Sequence, residues 1–236
     1  MASMREIIFD TETTGFDPRT GDRLVEIGCV ELVDRRETGV TFHAYFNPER
    51  DMPAAAEAVH GLSIQFLSDK PLFATRVDEL IEFLGDAPLI AHNAVFDFGF
   101  VNAELARAGR PALDMARMCC TVQMARKLHP GAKHSLDALC TRYGIDRSHR
   151  VKHGALLDAE LLAHLYIEMT GGRQIGLGLA ASAATTSAST APVPAASPGS
   201  DRPFREPRPH MASAAELARH AEFVAGLNQP LWLDTV

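Results

Sequence analysis

Positive charge is scarce in this sequence. Lys and Arg number 23 against 30 Asp and Glu, a formal charge of −7 with His neutral. A general basic coat for nucleic acid is therefore excluded, and any contact with a polyanion must run through a local site or through bound cations. Long apolar runs are missing too: nowhere do about eighteen apolar residues follow one another, so no transmembrane helix and no membrane partner are expected. The opening stretch Met1-Ala2-Ser3-Met4-Arg5-Glu6 passes straight into a strand-like run without the apolar centre of a signal peptide. Cysteine is sparse. Cys29, Cys119, Cys120 and Cys140 form no CxxC pair and have no zinc spacing, and the adjacent Cys119-Cys120 pair reads as buried thiols rather than a redox couple. A reduced, cytoplasmic protein is expected. Tryptophan occurs once, at position 232, in a C-terminal stretch too short to bury it.

What is present suits one domain. A hydrophobic content of 46% with 22% charged residues is ordinary globular composition. It suffices for one core of about 150–180 residues plus an appendage. Arg5–Asp10 reads as an apolar strand, Asp17–Asp22 as a turn, and Leu24–Val33 and Val40–Phe46 as strands completing a meander. Pro53–Val59, Pro71–Leu84 and Phe96–Ala108 read as helices, with Pro88–Ala91 a short buried strand between the last two. Val122–Leu128, Ser135–Tyr143 and Ala155–Met169 continue the helical pattern. Strands first, then strands alternating with helices, imply an α/β sheet flanked by helices. This domain occupies residues 1–172. From 180 to 210 the chain is mostly Ala, Ser, Thr and Pro, a disordered linker with a reach of roughly 30 Å. Beyond it, at 211–236, Ser213 and Glu216 have capping-box spacing, and Leu217, Phe223, Val224 and Leu227 build an apolar helical face followed by Trp232. Such a tail either folds back on its own core or, the reading adopted here, docks in a partner's groove.

Four acids stand out. Asp10 and Glu12 flank Thr11 near the end of the first strand, and alternation turns both carboxylates to one face with Thr11 opposite. Alone they are equally a solvated pair at a turn. Asp97 lies at a helix opening just after a buried strand, where an Asp is commonly a cap. Asp158 shares the inner stripe of its helix with Leu162 and Leu165, and a carboxylate there needs a partner. His153 precedes it by five residues, about 140° away if both were helical, so it is placed in the loop leading into the helix. Together the segments supply four carboxylates and a histidine. Two Mg²⁺ or Mn²⁺ ions would offset that charge, in the arrangement used for in-line phosphoryl displacement, with the histidine as base for water.

The stretches Phe9–Gly15, His92–Asp97 and His153–Asp158 resemble the three motifs of the DEDDh 3′→5′ exonucleases. Within that family the likeness is to the proofreading nucleases of bacterial replicative polymerases, and it spans about residues 5–179. The resemblance implies a ribonuclease-H-like mixed sheet, two divalent metals on Asp10, Glu12, Asp97 and Asp158, and His153 as general base. It also implies that Thr11, His60 and Phe96 contact the terminal nucleotide. By themselves, His60 is equally a helix C-terminal histidine beside Gly61, and Phe96 a core residue. Cys120 stands where many members carry Asp before the threonine that matches Thr121. Residues 173–179, with Gln174, Leu177 and Leu179, are similar to peptides that bind the bacterial sliding clamp. The tail resembles in role the segment that grips the polymerase catalytic subunit. The function implied is proofreading hydrolysis at a DNA 3′ end within the replisome, releasing nucleoside 5′-monophosphates. The alternatives are an exoribonuclease or oligonucleotide-degrading nuclease of the same superfamily, and a non-catalytic clamp–polymerase tether.

Overall fold

A computed structural model describes residues 3–148, 150, 152–171 and 212–226. Gln174, Leu177, Leu179, Leu227, Trp232 and the 180–210 linker lie outside the described residues.

The centre of the domain is a five-stranded sheet. Strand β1 (Arg5–Thr13) lies in the middle of the order β3-β2-β1-β4-β5. It pairs antiparallel with β2 (Leu24–Val33), which pairs antiparallel with β3 (Arg36–Tyr45). On its other side β1 runs parallel to β4 (Leu89–Ala91), and β4 runs parallel to β5 (Met118–Cys120). A central strand must bury both faces, and β1 does. Ile7 and Phe9 enter one apolar core with Phe73, Val77 and Leu80 of α3 (Phe73–Leu84) and Phe98 and Val101 of α4 (Ala94–Arg107). Ile8 enters a second core, with Ala125 of α5 (Thr121–Leu128), Leu139 of α6 (Leu136–Tyr143) and Leu161, Leu162 and Leu165 of α7 (Ala155–Met169). The short α1 (Ala54–His60) and α2 (Ile64–Leu67) complete the domain.

This layering positions the chemistry. The parallel pairing Ile7↔Leu89 and Ile8↔Ile90 sends the C-terminal ends of β1 and β4 to the same edge of the sheet. The first turn of α7 crosses β2 at Gly28, the residue opposite Asp10. A Cβ on Gly28 would overlap the backbone of Ala155 and Leu156, so the helix approaches the sheet main chain to main chain.

Three details differ from the sequence expectation. β3 starts at Arg36 rather than Val40, because a two-residue turn at Asp34-Arg35, both at positive φ (51° and 59°), brings Val33 opposite Arg36. Asp34 Oδ1 accepts the Met4 amide at 2.9 Å and the Arg35 guanidinium donates to Thr170 O, contacts that hold this unfavourable backbone. α4 starts at Ala94, not Phe96, behind Asn93 in the left-handed region (φ 70°), so Asp97 is in the first turn and is not the cap. Finally, α2 and β5 were not expected.

The chain has a second compact unit, beyond residue 180. It contains α8 (Ala214–Ala225), whose start is a capping box: Glu216 N donates to Ser213 Oγ at 3.3 Å and Ser213 N donates to Glu216 Oε2 at 2.8 Å. Leu217 and Phe223 are exposed on it and Val224 is buried. Among the described residues, no helix is long and apolar enough to cross a membrane.

Candidate active site

The two faces of β1 explain how the acids meet. Asp10 and Glu12 share the face of Ile8, toward α7, and Thr11 shares the face of Ile7 and Phe9, toward α4. Asp97, 2% exposed in the first turn of α4, accepts the Thr11 hydroxyl at 2.8 Å. Asp158, 3% exposed in the first turn of α7, stands on the other side. Ligand atoms of Glu12, His153 and Asp158 all lie within 4.8 Å of one another. His153, just before the helix, has 47% of its side chain exposed, and its Nδ1 is 3.2 Å from Asp158 Oδ2.

The loops around this edge are tied to it. A Cβ on Gly15 would fall on the Asp22 carboxylate, which accepts from the Thr14 hydroxyl and the Asp17 amide at 3.2 Å each. His153 N donates to Val59 O at 3.4 Å, joining the His153 loop to the end of α1. His60 is buried there. Its Nδ1 accepts the Leu62 amide at 3.0 Å, so the ring carries its proton on Nε2, which is buried and has no hydrogen-bond partner among the described residues. Phe96 is half-buried against Phe100, with ring centroids 4.9 Å apart.

Electrostatics mark the site. Burial pushes the Asp10 carboxyl well above its ordinary value, with the charges of Asp97, Glu12 and Asp158 adding to the effect. Burial, then Asp158 and Glu26, raise Glu12 to about 8. Burial raises Asp97 to about 7, opposed by the hydrogen bond from Thr11. Crowded, dehydrated carboxylates resist ionisation unless a cation joins them, and an all-oxygen set with one imidazole is the donor chemistry of hard divalent ions. The residues therefore fit Mg²⁺ or Mn²⁺.

Sequence reasoning missed three contributors. Arg150, bonded to Asp158 from between α6 and α7, has no signal in sequence that separates it from a solvated charge. Gly28 had a signal, a glycine inside an apolar strand. His92 lay within a quoted motif without a role. Its Nε2 donates to His134 O and its Nδ1 lies 2.9 Å from Thr121 Oγ1, pinning the loop before α4 to the start of α5. Cys120 is the N-cap of α5 and makes no capping hydrogen bond.

Comparison with known proteins decides the family. The exonuclease family model RNase_T matches residues 7–166. The chain is 55% identical over 177 residues to the DNA polymerase III subunit epsilon of Rickettsia felis, covering 74% of this chain and 77% of that one. The chain belongs to the epsilon-subunit family of exonucleases. The Escherichia coli K12 epsilon subunit is 45% identical over 179 residues, covering 73% of this chain and 74% of that one. Among solved structures, exonuclease X bound to 5′-overhanging duplex DNA has a TM-score of 0.54 at 27% identity, over 71% of this chain and 90% of that one. The nuclease domain of 3′hExo, a DEDDh family member bound to rAMP, has a TM-score of 0.62 over 71% and 92%, and at 18% identity it shows the fold alone. This epsilon-family chain thus has the ribonuclease-H-like exonuclease fold, with a mixed sheet between helical layers.

The raised carboxyls predict a pH dependence for the metal-free exonuclease. An acid raised in the folded state contributes stability that is full below its unfolded value and is lost as pH rises through the folded one. For Glu12 and Asp97 the loss runs from about 4.5 and 3.8 up to about 8 and 7. His60 and His92 are shifted down by burial and act in the opposite sense, but their contribution is complete near the ordinary histidine value of about 6.5. In a chelator, the melting temperature should therefore fall between about pH 6.5 and 8.5, and saturating Mg²⁺ should flatten that fall. Melts that hold steady or rise with pH in the chelator would contradict the placement of these carboxyls.

Proposed function

We propose that this chain is a proofreading nuclease that removes the 3′-terminal nucleotide from DNA by two-metal-ion hydrolysis, releasing nucleoside 5′-monophosphates. The observation that carries this is the convergence of Glu12, Asp158 and His153, beside Asp10 and Asp97, at one end of β1. Asp10, Glu12, Asp97 and Asp158 would hold two Mg²⁺ or Mn²⁺ ions. When bound, such ions lower the pKa of water and neutralise charge at the phosphorus and the leaving oxygen. His153, open to solvent, takes the proton from the attacking water. Asp158 Oδ2 beside its Nδ1 steadies the imidazolium that results. Thr11 orients Asp97 through its hydroxyl, and on this reading its backbone, His60 and Phe96 border the terminal nucleotide. Specificity follows from fraying, because a mispaired end unstacks at lower cost.

The names of the relatives support DNA as substrate and the replicative polymerase as partner. The tail, through Leu217, Phe223, Val224, Leu227 and Trp232, would bind the polymerase catalytic subunit. Gln174, Leu177 and Leu179 would bind the sliding clamp, with 180–210 as a tether between them, which places the protein at the nucleoid in the cytoplasm. With a net charge of −7, the chain depends on these partners to be brought to DNA.

The deciding assay compares DNA and RNA single strands of equal sequence and length with Mg²⁺. Faster loss of 3′ nucleotides from DNA is expected. Faster loss from RNA would make the chain an exoribonuclease, and hydrolysis of neither, by a folded protein, would leave only the tether.

A further inference from the structure

The guanidinium of Arg150 lies where the acids converge. Its Nε donates to Asp158 Oδ1, and its Nη2 donates at 2.7 Å both to Asp158 Oδ2 and to His153 Nδ1. Its Nη1 donates to Asp137 Oδ1 at 2.9 Å. Although it comes from a loop, the side chain is only 9% exposed. Arginine stays protonated throughout the physiological range and offers a planar fork that matches a carboxylate in two-point contact. Here the fork claims both oxygens of Asp158 and one nitrogen of the proposed base. Two of the three groups that cluster within 4.8 Å as candidate cation ligands are thus already engaged by a cation the chain carries itself.

A divalent ion would compete with this guanidinium for Asp158, because the fork already engages both carboxylate oxygens and a second cation at that range in a poorly hydrated site is opposed by Coulomb repulsion. We propose that Arg150 is a built-in counter-cation of the exonuclease site: it holds Asp158 and His153 in place before metal arrives and is exchanged out of the site when metal binds. The inference rests on the metal-binding reading given above.

Two features make the exchange feasible. Burying Asp158 with no cation would carry a large desolvation cost, so an internal partner keeps the empty site folded. Asp137, already bonded to Arg150 and to Arg147 at 2.9 Å, has a half-exposed side chain and can keep the displaced guanidinium at the rim. The exchange also frees His153 Nδ1, which accepts from Arg150 in this structure. The imidazole can then donate Nδ1–H to Asp158 and present its Nε2 lone pair to water. Arg150 is therefore a positioning residue for both the acid and the base.

The test uses the full chain. Calorimetric titration with Mn²⁺ should show Arg150→Met binding the ion ~10-fold more tightly than the parent, because a competitor has been removed, while its metal-free melting temperature falls. Equal or weaker Mn²⁺ binding by the variant, with clear binding by the parent, would overturn the exchange and leave the metal reading standing. A parent that binds no Mn²⁺ would overturn both. A second measurement needs no variant: the ¹⁵Nε–¹Hε resonance of Arg150 in the parent should show a hydrogen-bonded, slowly exchanging proton in chelator and lose that protection on adding Mg²⁺. A resonance indifferent to Mg²⁺ in a parent that binds the ion would show that Arg150 stays put.

Discussion

Asp97→Asn should give a protein that folds as the parent does yet hydrolyses a DNA oligonucleotide on the order of 10³-fold more slowly, from the several kcal/mol that metal ions contribute to such transition states. The substitution is chosen for what it keeps. Asn retains the side-chain oxygen that accepts the Thr11 hydroxyl, so the 2.8 Å contact between β1 and α4 survives. The native carboxyl is already pushed up to about 7 by burial, so a neutral amide resembles its protonated form. Metal-free stability at pH 8 should therefore be equal or higher, because a buried like charge beside Asp10 has gone. The gain in melting temperature on adding Mg²⁺ should shrink. Single-turnover hydrolysis, circular dichroism and melts with and without Mg²⁺ check the three parts. Parental turnover would mean that Asp97 only supports Thr11.

The second large effect concerns His153. His153→Ala should lower turnover by ~10²–10⁴-fold, the usual worth of a positioned general base. The geometry leaves two roles open to this imidazole, since it clusters with Glu12 and Asp158 closely enough to be a ligand. Its exposure argues for the base: about half of the side chain is open to solvent, whereas Asp158 is almost closed off. A base can be removed without losing the cations, so Mn²⁺ affinity of the Ala variant should stay within a few-fold of the parent. Loss of Mn²⁺ binding together with turnover would reassign His153 as a ligand. Unchanged turnover would move the base elsewhere.

The site was legible where local pattern and chemistry coincide. Alternation along β1 is enough to turn Asp10 and Glu12 one way and Thr11 the other, and the structure uses both faces, one toward Asp158 and one toward Asp97. The long helices were legible because their apolar residues repeat over three turns or more. β5 and α2, of three and four residues, are too short to show a period, and β5 exists through its pairing with β4 rather than through a pattern of its own. The early start of β3 was hidden because its first residues are exposed and its turn, Asp34-Arg35, lacks the glycine that signals such a hairpin. Arg150 was hidden for a different reason. A charged loop residue acquires meaning only when the fold decides whether it meets water or a buried acid.

The acids come from β1, α4 and α7, and the last of these is made after the rest of the sheet. While the chain emerges from the ribosome, β1 and its first two acids appear early, with no α7 to close over Gly28 and no His153. The four acids are thus kept apart through most of synthesis. A nascent chain has no assembled acid cluster until nearly the whole domain has left the exit tunnel.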